Sequence, residues 1–175
     1  MKRRSMLVTL FCGLTVLSNA QTFNPIPTEE LKKLQFMEGK WTADLDAWMG
    51  PEKSTMKVKI DSRWAVGGRF LIQDHEYSMG PGMTMNGLNM LTYDPQKKEW
   101  VGLWFDSSEA NPMRMTGNWK GDVLTLTSGE TEVIGMGKVI MRATYTKAAN
   151  GIGFLLEMKD GEKWNPMMKG TYKKA

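Results

Sequence analysis

The stretch WTADLDAWMGPEKSTMKVKIDSRW, residues 41–64, holds two runs of period-two alternation joined by a turn signal. Trp41, Ala43, Leu45, Ala47 and Met49 alternate with Thr42, Asp44 and Asp46, with Trp48 as the exception. Met56, Val58, Ile60 and Trp64 then alternate with Lys57, Lys59, Asp61 and Arg63. Successive side chains of a strand point to opposite faces, so each run reads as a half-buried strand, with Gly50-Pro51 as the turn between them. Similar runs recur at about 69–79, 83–93, 98–106, 111–119, 122–127, 136–146, 152–159 and 162–173. Most are separated by turn chemistry: Gly80-Pro81-Gly82, Asp94-Pro95, Gly121-Asp122, Asn150-Gly151 and Asp160-Gly161. No long helical pattern intervenes to carry parallel crossovers, so the sheet reads as an antiparallel meander.

Ahead of the strands, Thr28 followed by Glu29 and Glu30 reads as a helix N-cap with acid in the first turn. Leu31, Leu34, Phe36 and Met37 make a partial apolar stripe, and Gly39 is placed to stop it, which predicts one short helix from Thr28 to about Met37. Eight to ten up-and-down strands after one short helix fit an all-β closed barrel over about 39–173 better than a Greek-key sandwich. Closure removes the sheet edges, and the immunoglobulin-type cysteine pair is missing. A barrel of that strand number can hold a small ligand.

The N-terminus reads as an export signal. Lys2, Arg3 and Arg4 precede an uncharged run from Ser5 to Ala20 that ends Ser18-Asn19-Ala20. Its apolar heart, Met6 to Leu17, is too short to span a bilayer as a helix, and no longer apolar run follows. Cleavage after Ala20 leaves residues 21–175 as one domain, expected in the periplasm or secreted. Losing three of 23 basic residues against 19 acidic ones brings the net charge to +1, which removes the electrostatic case for a nucleic-acid partner. The one cysteine, Cys12, falls within the signal. The exported chain then has no thiol for a disulfide or a thiolate metal site, and no cofactor is expected.

Gly39-Lys40-Trp41, following a short helix at the start of the first strand, resembles the Gly-x-Trp opening of lipocalin-like proteins. A longer series follows: Gly67-Gly68-Arg69-Phe70-Leu71, Met79-Gly80, Asn86-Gly87-Leu88, Tyr93-Asp94, Trp104-Phe105-Asp106-Ser107, Gly117, Arg142, Glu157-Met158 and Tyr172-Lys173. In that order and spacing, over about residues 28–173, the chain resembles the bacterial family catalogued as domain of unknown function 1579. The resemblance implies a lipocalin-like (calycin-type) barrel and no assigned activity. Where lipocalins cap this tryptophan with an arginine from the last strand, this chain offers Lys169, Lys173 and Lys174.

Candidate chemistry is sparse. The sole histidine, His75, lacks the second ligand a zinc site needs. It shares a strand face with Leu71, Tyr77 and Met79 while Asp74 and Glu76 face the other way, and it reads as structural, as a ligand contact, or as a catalytic or axial haem residue. Ser107 and Ser108 stand without an identifiable base, and no nucleophile elbow or P-loop occurs. Asp106 and Glu157 lie in otherwise apolar strands; both facing the lumen would permit acid/base work of isomerase or lyase type, while Arg142 is placed to neutralise one as an ion pair.

Methionine is the unusual component, with 16 in the chain and all but Met1 and Met6 beyond the signal. Met79, Met83, Met85 and Met90 crowd one hairpin, a thioether set suited to Cu(I). Met113 and Met115, on one strand face, suit the lining of an apolar pocket. Trp41, Trp64, Trp104 and Trp119 add ring area inside the barrel. The leading reading is a non-enzymatic, exported barrel, monomeric or homodimeric, that binds a small apolar or amphipathic molecule. The expected ligand-contacting residues are Trp64, Arg69, His75, Trp104, Asp106, Met113, Met115 and Arg142. Copper binding through the methionine cluster and lumen-carboxylate catalysis are the alternatives.

Overall fold

A computed structural model describes residues 28–48, 52–78, 82 and 84–175. Ten strands close into an antiparallel barrel in the order β1-β12-β11-β10-β7-β6-β5-β4-β3-β2. These are β1 (Gly39–Ala47), β2 (Ser54–Ala65), β3 (Phe70–Ser78), β4 (Thr84–Asp94), β5 (Glu99–Asp106), β6 (Met113–Lys120), β7 (Val123–Ser128), β10 (Met141–Ala148), β11 (Gly151–Asp160) and β12 (Lys163–Lys174). The last strand returns to the first, with Trp41 opposite Lys174 and Ala47 opposite Met168, so the meander has no free edge. The up-and-down barrel expected from the alternation is the observed architecture.

Two local readings change. The expected helix is one α-turn, α1 (Thr28–Leu31), continued by a 3-10 segment over Lys32–Met37; a single turn is too short to sustain an α-helix without its tertiary contacts. The run expected at 136–146 is interrupted. A short hairpin of β8 (Thr131–Val133) and β9 (Gly137–Val139) stands apart from the barrel, between β7 and β10. Gly135 and Gly137 both adopt positive φ, which shapes this hairpin and breaks the run. At the β2–β3 corner Val66, Gly67 and Gly68 take φ of 51, 64 and 86°, a backbone path for which the two glycines are suited.

The α1 and 3-10 segment plugs one end of the barrel, hereafter the floor. Leu31, Leu34 and Met37 are buried there, and the Trp41 indole Nε1 donates to the Met37 carbonyl at 2.8 Å. A chain of rings fills this half: Phe36 meets Trp119 at 6.2 Å, Trp119 meets Trp100 at 6.3 Å, and Trp100 meets Tyr93 at 5.5 Å. On the other side Phe154 links Tyr145 at 5.4 Å and Tyr172 at 5.5 Å. Lys174 Nζ sits 4.0 Å from the Trp41 ring centre and donates to the Glu38 carbonyl, so a lysine of the last strand caps this tryptophan.

Candidate functional site

The opposite end, the mouth, is bounded among the described residues by the 107–112 turn, the β8–β9 hairpin and the 161–162 turn. Strand pairing fixes which side chains look inward. Gln73, His75 and Tyr77 of β3 lie opposite Ser62, Ile60 and Val58 of β2 and opposite Asn89, Gly87 and Met85 of β4. Asn89 and Gly87 in turn face Trp104 and Asp106 of β5, and Trp104 faces Met113 of β6. His75, Trp104, Asp106, Met113 and Met115 are therefore brought to one half of the lumen. Met85, Leu156, Met158 and Met168 complete that half from β4, β11 and β12.

His75 and Tyr77 stack at 5.5 Å, and the Trp104 ring meets them edge-on at 5.1 and 5.9 Å. Gly87 makes that placement possible: a Cβ there would stand 2.2 Å from Trp104 Cη2, so the indole lies over bare backbone. Tyr77 Oη is 2.9 Å from His75 Nδ1, and among the described residues His75 Nε2 has no hydrogen-bond partner. Burial lowers the His75 pKa to about 3 and raises that of Tyr77 well above the usual value, because an apolar interior penalises either charge.

Towards the floor lies a polar belt. Gln73 Nε2 donates to Ser62 Oγ at 3.4 Å, and Asn89 Nδ2 donates to Gln73 Oε1 at 2.9 Å and to Tyr145 Oη at 3.3 Å. Burial also pushes the Tyr145 pKa up to about 12. These bonds offset the cost of burying the belt's polar groups. The alternation did not reveal it, because Gln73 and Asn89 are polar residues at inward positions.

Other expected site residues lie elsewhere. Trp64 and Arg69 sit at the floor end, next to the β2–β3 corner, where Thr92 Oγ1 donates to the Arg69 carbonyl at 2.8 Å. Arg142 is on the outer wall: its inward neighbour Ala143 is buried, while Arg142 Nε donates to Glu157 Oε2 at 2.7 Å and its guanidinium lies 4.2 Å over the Trp164 ring. Glu157 thus stands outside the wall and Asp106 inside it, so the carboxylate pair is not assembled; a β-bulge at the Leu156/Glu157 step shifts the β11–β12 register here. Asp106 is itself engaged, accepting from the Ser108 backbone at 2.8 Å and the Ser108 hydroxyl at 2.6 Å. Asp74 and Glu76 do face outward, paired with Arg63 and Lys59. Of the methionine cluster, Met85 points inward and Met90 outward on β4, while Met79 and Met83 lie outside the described residues. No group of three or more His, Cys, Asp or Glu able to hold a metal ion occurs among the described residues. None of their helices is long and apolar enough to cross a membrane.

Comparison with known proteins gives a fold and a family. The model of the family described as "Protein of unknown function (DUF1579)" matches residues 26–174. A solved structure, titled "Crystal Structure of Rv2717c from M. tuberculosis", superposes with a TM-score of 0.57 over 82% of this chain and 97% of that one, at 14% sequence identity. At that identity the likeness is one of fold. No curated protein matches the chain.

Proposed function

This chain belongs to the DUF1579 family, and we propose that it is an exported, non-enzymatic barrel that takes up a small apolar or amphipathic molecule through its mouth. One observation carries the reading. The inward positions of the mouth half include Met85, Met113, Met158 and Met168, with Trp104 and Leu156, all only partly buried; floor rings such as Phe36 and Trp119 are partly buried too, so what sets the mouth apart is its thioethers. Thioethers on unbranched stems re-pack at small cost, so a chamber walled by methionine opens around an apolar guest more readily than one walled by branched side chains. The basic, then apolar, then small-residue pattern of residues 1–20 supports export.

Native mass spectrometry of the protein purified from its own periplasm tests the reading, repeated under denaturing spray. Release of a small organic mass is the expected result. A 63 Da adduct that survives in its place favours copper, and a bare polypeptide that also fails to take up apolar probes overturns the proposal.

A further inference from the structure

His75 is the sole histidine of the chain, and the two ring nitrogens have different surroundings. Nδ1 faces the Tyr77 hydroxyl at 2.9 Å, and Nε2 has no partner among the described residues. Counting hydrogens decides which nitrogen is protonated. The Tyr77 hydroxyl has one hydrogen and, among the described residues, one hydrogen-bond partner, His75. Were Nδ1–H to donate to Tyr77, both the hydroxyl hydrogen and the Nε2 lone pair would be left unmet in the interior. With Tyr77 donating to Nδ1, a single group, Nε2–H, is left over. An unmet buried polar group costs stability, so the second arrangement prevails. The doubly protonated ring is excluded by burial, which holds His75 neutral down to about pH 3.

A lone buried N–H is matched by an acceptor, and the neighbours restrict its kind. The residues opposite His75 are Ile60 and Gly87, those flanking it on its own face are Gln73 and Tyr77, and the diagonal ones are Val58, Ser62, Met85 and Asn89. None is charged. Gln73, Asn89 and Ser62 bond one another, and none of them bonds His75 Nε2. The carboxylate of Asp106, opposite Gly87 at the mouth, disfavours an anion, and its charge is felt at the Tyr77 hydroxyl.

We propose that Nε2–H of His75 is the polar contact of the lumen, and that the ligand offers it an uncharged oxygen acceptor, such as a ketone, ester or ether oxygen, on an otherwise apolar body. The inference rests on the reading of the barrel as a carrier and adds the class of molecule carried. It also separates the site from a metal centre, since a ring nitrogen that holds a hydrogen has no lone pair to give a metal. Trp104 covers the imidazole edge-on, so the guest reaches Nε2 by turning the indole aside from its seat over Gly87.

Two measurements on the chain, purified without a histidine tag, test this. Imidazole ¹⁵N NMR of the one histidine reads the tautomer directly. Protonated Nε2 with bare Nδ1, unchanged from pH 5 to 8, is expected, and protonated Nδ1 overturns the proposal. Tryptophan fluorescence titration then compares 2-undecanone, n-undecane and undecanoate. The ketone is expected to bind about tenfold more tightly than the alkane, the size of one well-made hydrogen bond, and more tightly than the carboxylate. The ketone preference should vanish in His75→Phe and survive in His75→Gln, which keeps an N–H donor; if neither variant folds, the wild-type tautomer and ligand order decide. Equal binding of all three, or a preference for undecanoate, overturns the acceptor assignment and leaves the carrier reading standing. Failure of all three to bind overturns both.

Discussion

The two ends of this barrel are built from the same strands and differ in what their inward residues are chosen to do. At the floor, Trp100 meets Tyr93 and Trp119, and Phe154 meets Tyr172, ring to ring, while Trp41 is buried beneath the N-terminal plug. Their shapes are rigid and their rotamers few, so the area they bury becomes stability. At the mouth, flexible thioethers surround a histidine whose Nε2 has no partner among the described residues. That half gives up packing energy that the floor collects, while each half leaves one buried ring nitrogen without a partner among the described residues, His75 Nε2 at the mouth and Trp119 Nε1 at the floor.

The largest test of this division is a pair of truncations. Trp100, 1% exposed and wedged between Tyr93 and Trp119, should lose about 4 kcal/mol of unfolding free energy on replacement by alanine, the range for a buried ring that leaves a cavity. Met113→Ala at the half-buried mouth should lose only about 1 kcal/mol, since the site is already partly hydrated. Urea denaturation of both variants checks the contrast. Equal losses would show that the mouth is packed as tightly as the floor and would break the comparison.

A second test sharpens it through pH. The His75 pKa is lowered by burial to about 3, against about 6.5 in an unfolded chain. The unfolded state therefore binds the extra proton first as pH falls. The contribution of neutral His75 is complete above pH 6.5 and is lost progressively as pH drops from there towards 3. Between pH 6.5 and 4.5 the loss amounts to about 2 kcal/mol. Stability measured against pH should be steeper in the wild type than in His75→Gln by that amount over the window. Parallel curves would mean that the histidine is free to protonate while the barrel is folded.

The inward faces of β1 and β2 were legible in the sequence. Strict alternation through Trp41–Leu45 and Met56–Ile60 identifies inward residues, because apolar and charged positions trade places at every step. The mouth was less legible, for three physical reasons. The Gln73–Asn89–Tyr145 belt places polar residues at inward positions, so periodicity reads them as surface. The bulge at Leu156/Glu157 shifts the β11–β12 pairing, and Glu157, which alternation left open, turns out to pair with Arg142 on the outer wall. Finally, strand tilt carries a pairing row from the floor to the mouth: Trp41, Ile60, His75, Gly87 and Asp106 are successive partners across β1 to β5. Residues at opposite ends of the lumen can thus share a row, which is why Arg69 and Trp64 were grouped with a site they do not join.

The cap over Trp41 gives a smaller effect. Lys174 places its ammonium 4.0 Å above the indole and donates to the Glu38 carbonyl. Lys174→Met keeps most of the stem and removes the charge, and should cost about 1 kcal/mol, the worth of a cation–π contact at a partly exposed site. Lys174→Arg should restore most of it, because a guanidinium stacks on the same face. A neutral Lys174→Met variant would assign closure of the floor to apolar packing alone.

The smallest stability change with the largest consequence for the mouth is expected at Gly87. Alanine there restricts the unfolded chain, which favours folding by about 0.4–1 kcal/mol. Its methyl, 2.2 Å from Trp104 Cη2 as the ring now lies, forces the indole off its seat at a cost of about 0.5–1.5 kcal/mol. The two nearly cancel, so the unfolding midpoint of Gly87→Ala should stay close to that of the wild type. The tryptophan environment should nevertheless change. Displaced from His75 and Tyr77, the indole becomes more hydrated, its emission shifts to the red, and small apolar probes should associate faster because the guest no longer has to move the ring. Unchanged emission and association rate together with unchanged stability would mean that Trp104 accommodates the methyl without leaving His75. The indole would then be part of a fixed wall, and the division between a rigid floor and a yielding mouth would have to be drawn above it, at Met85 and Met113.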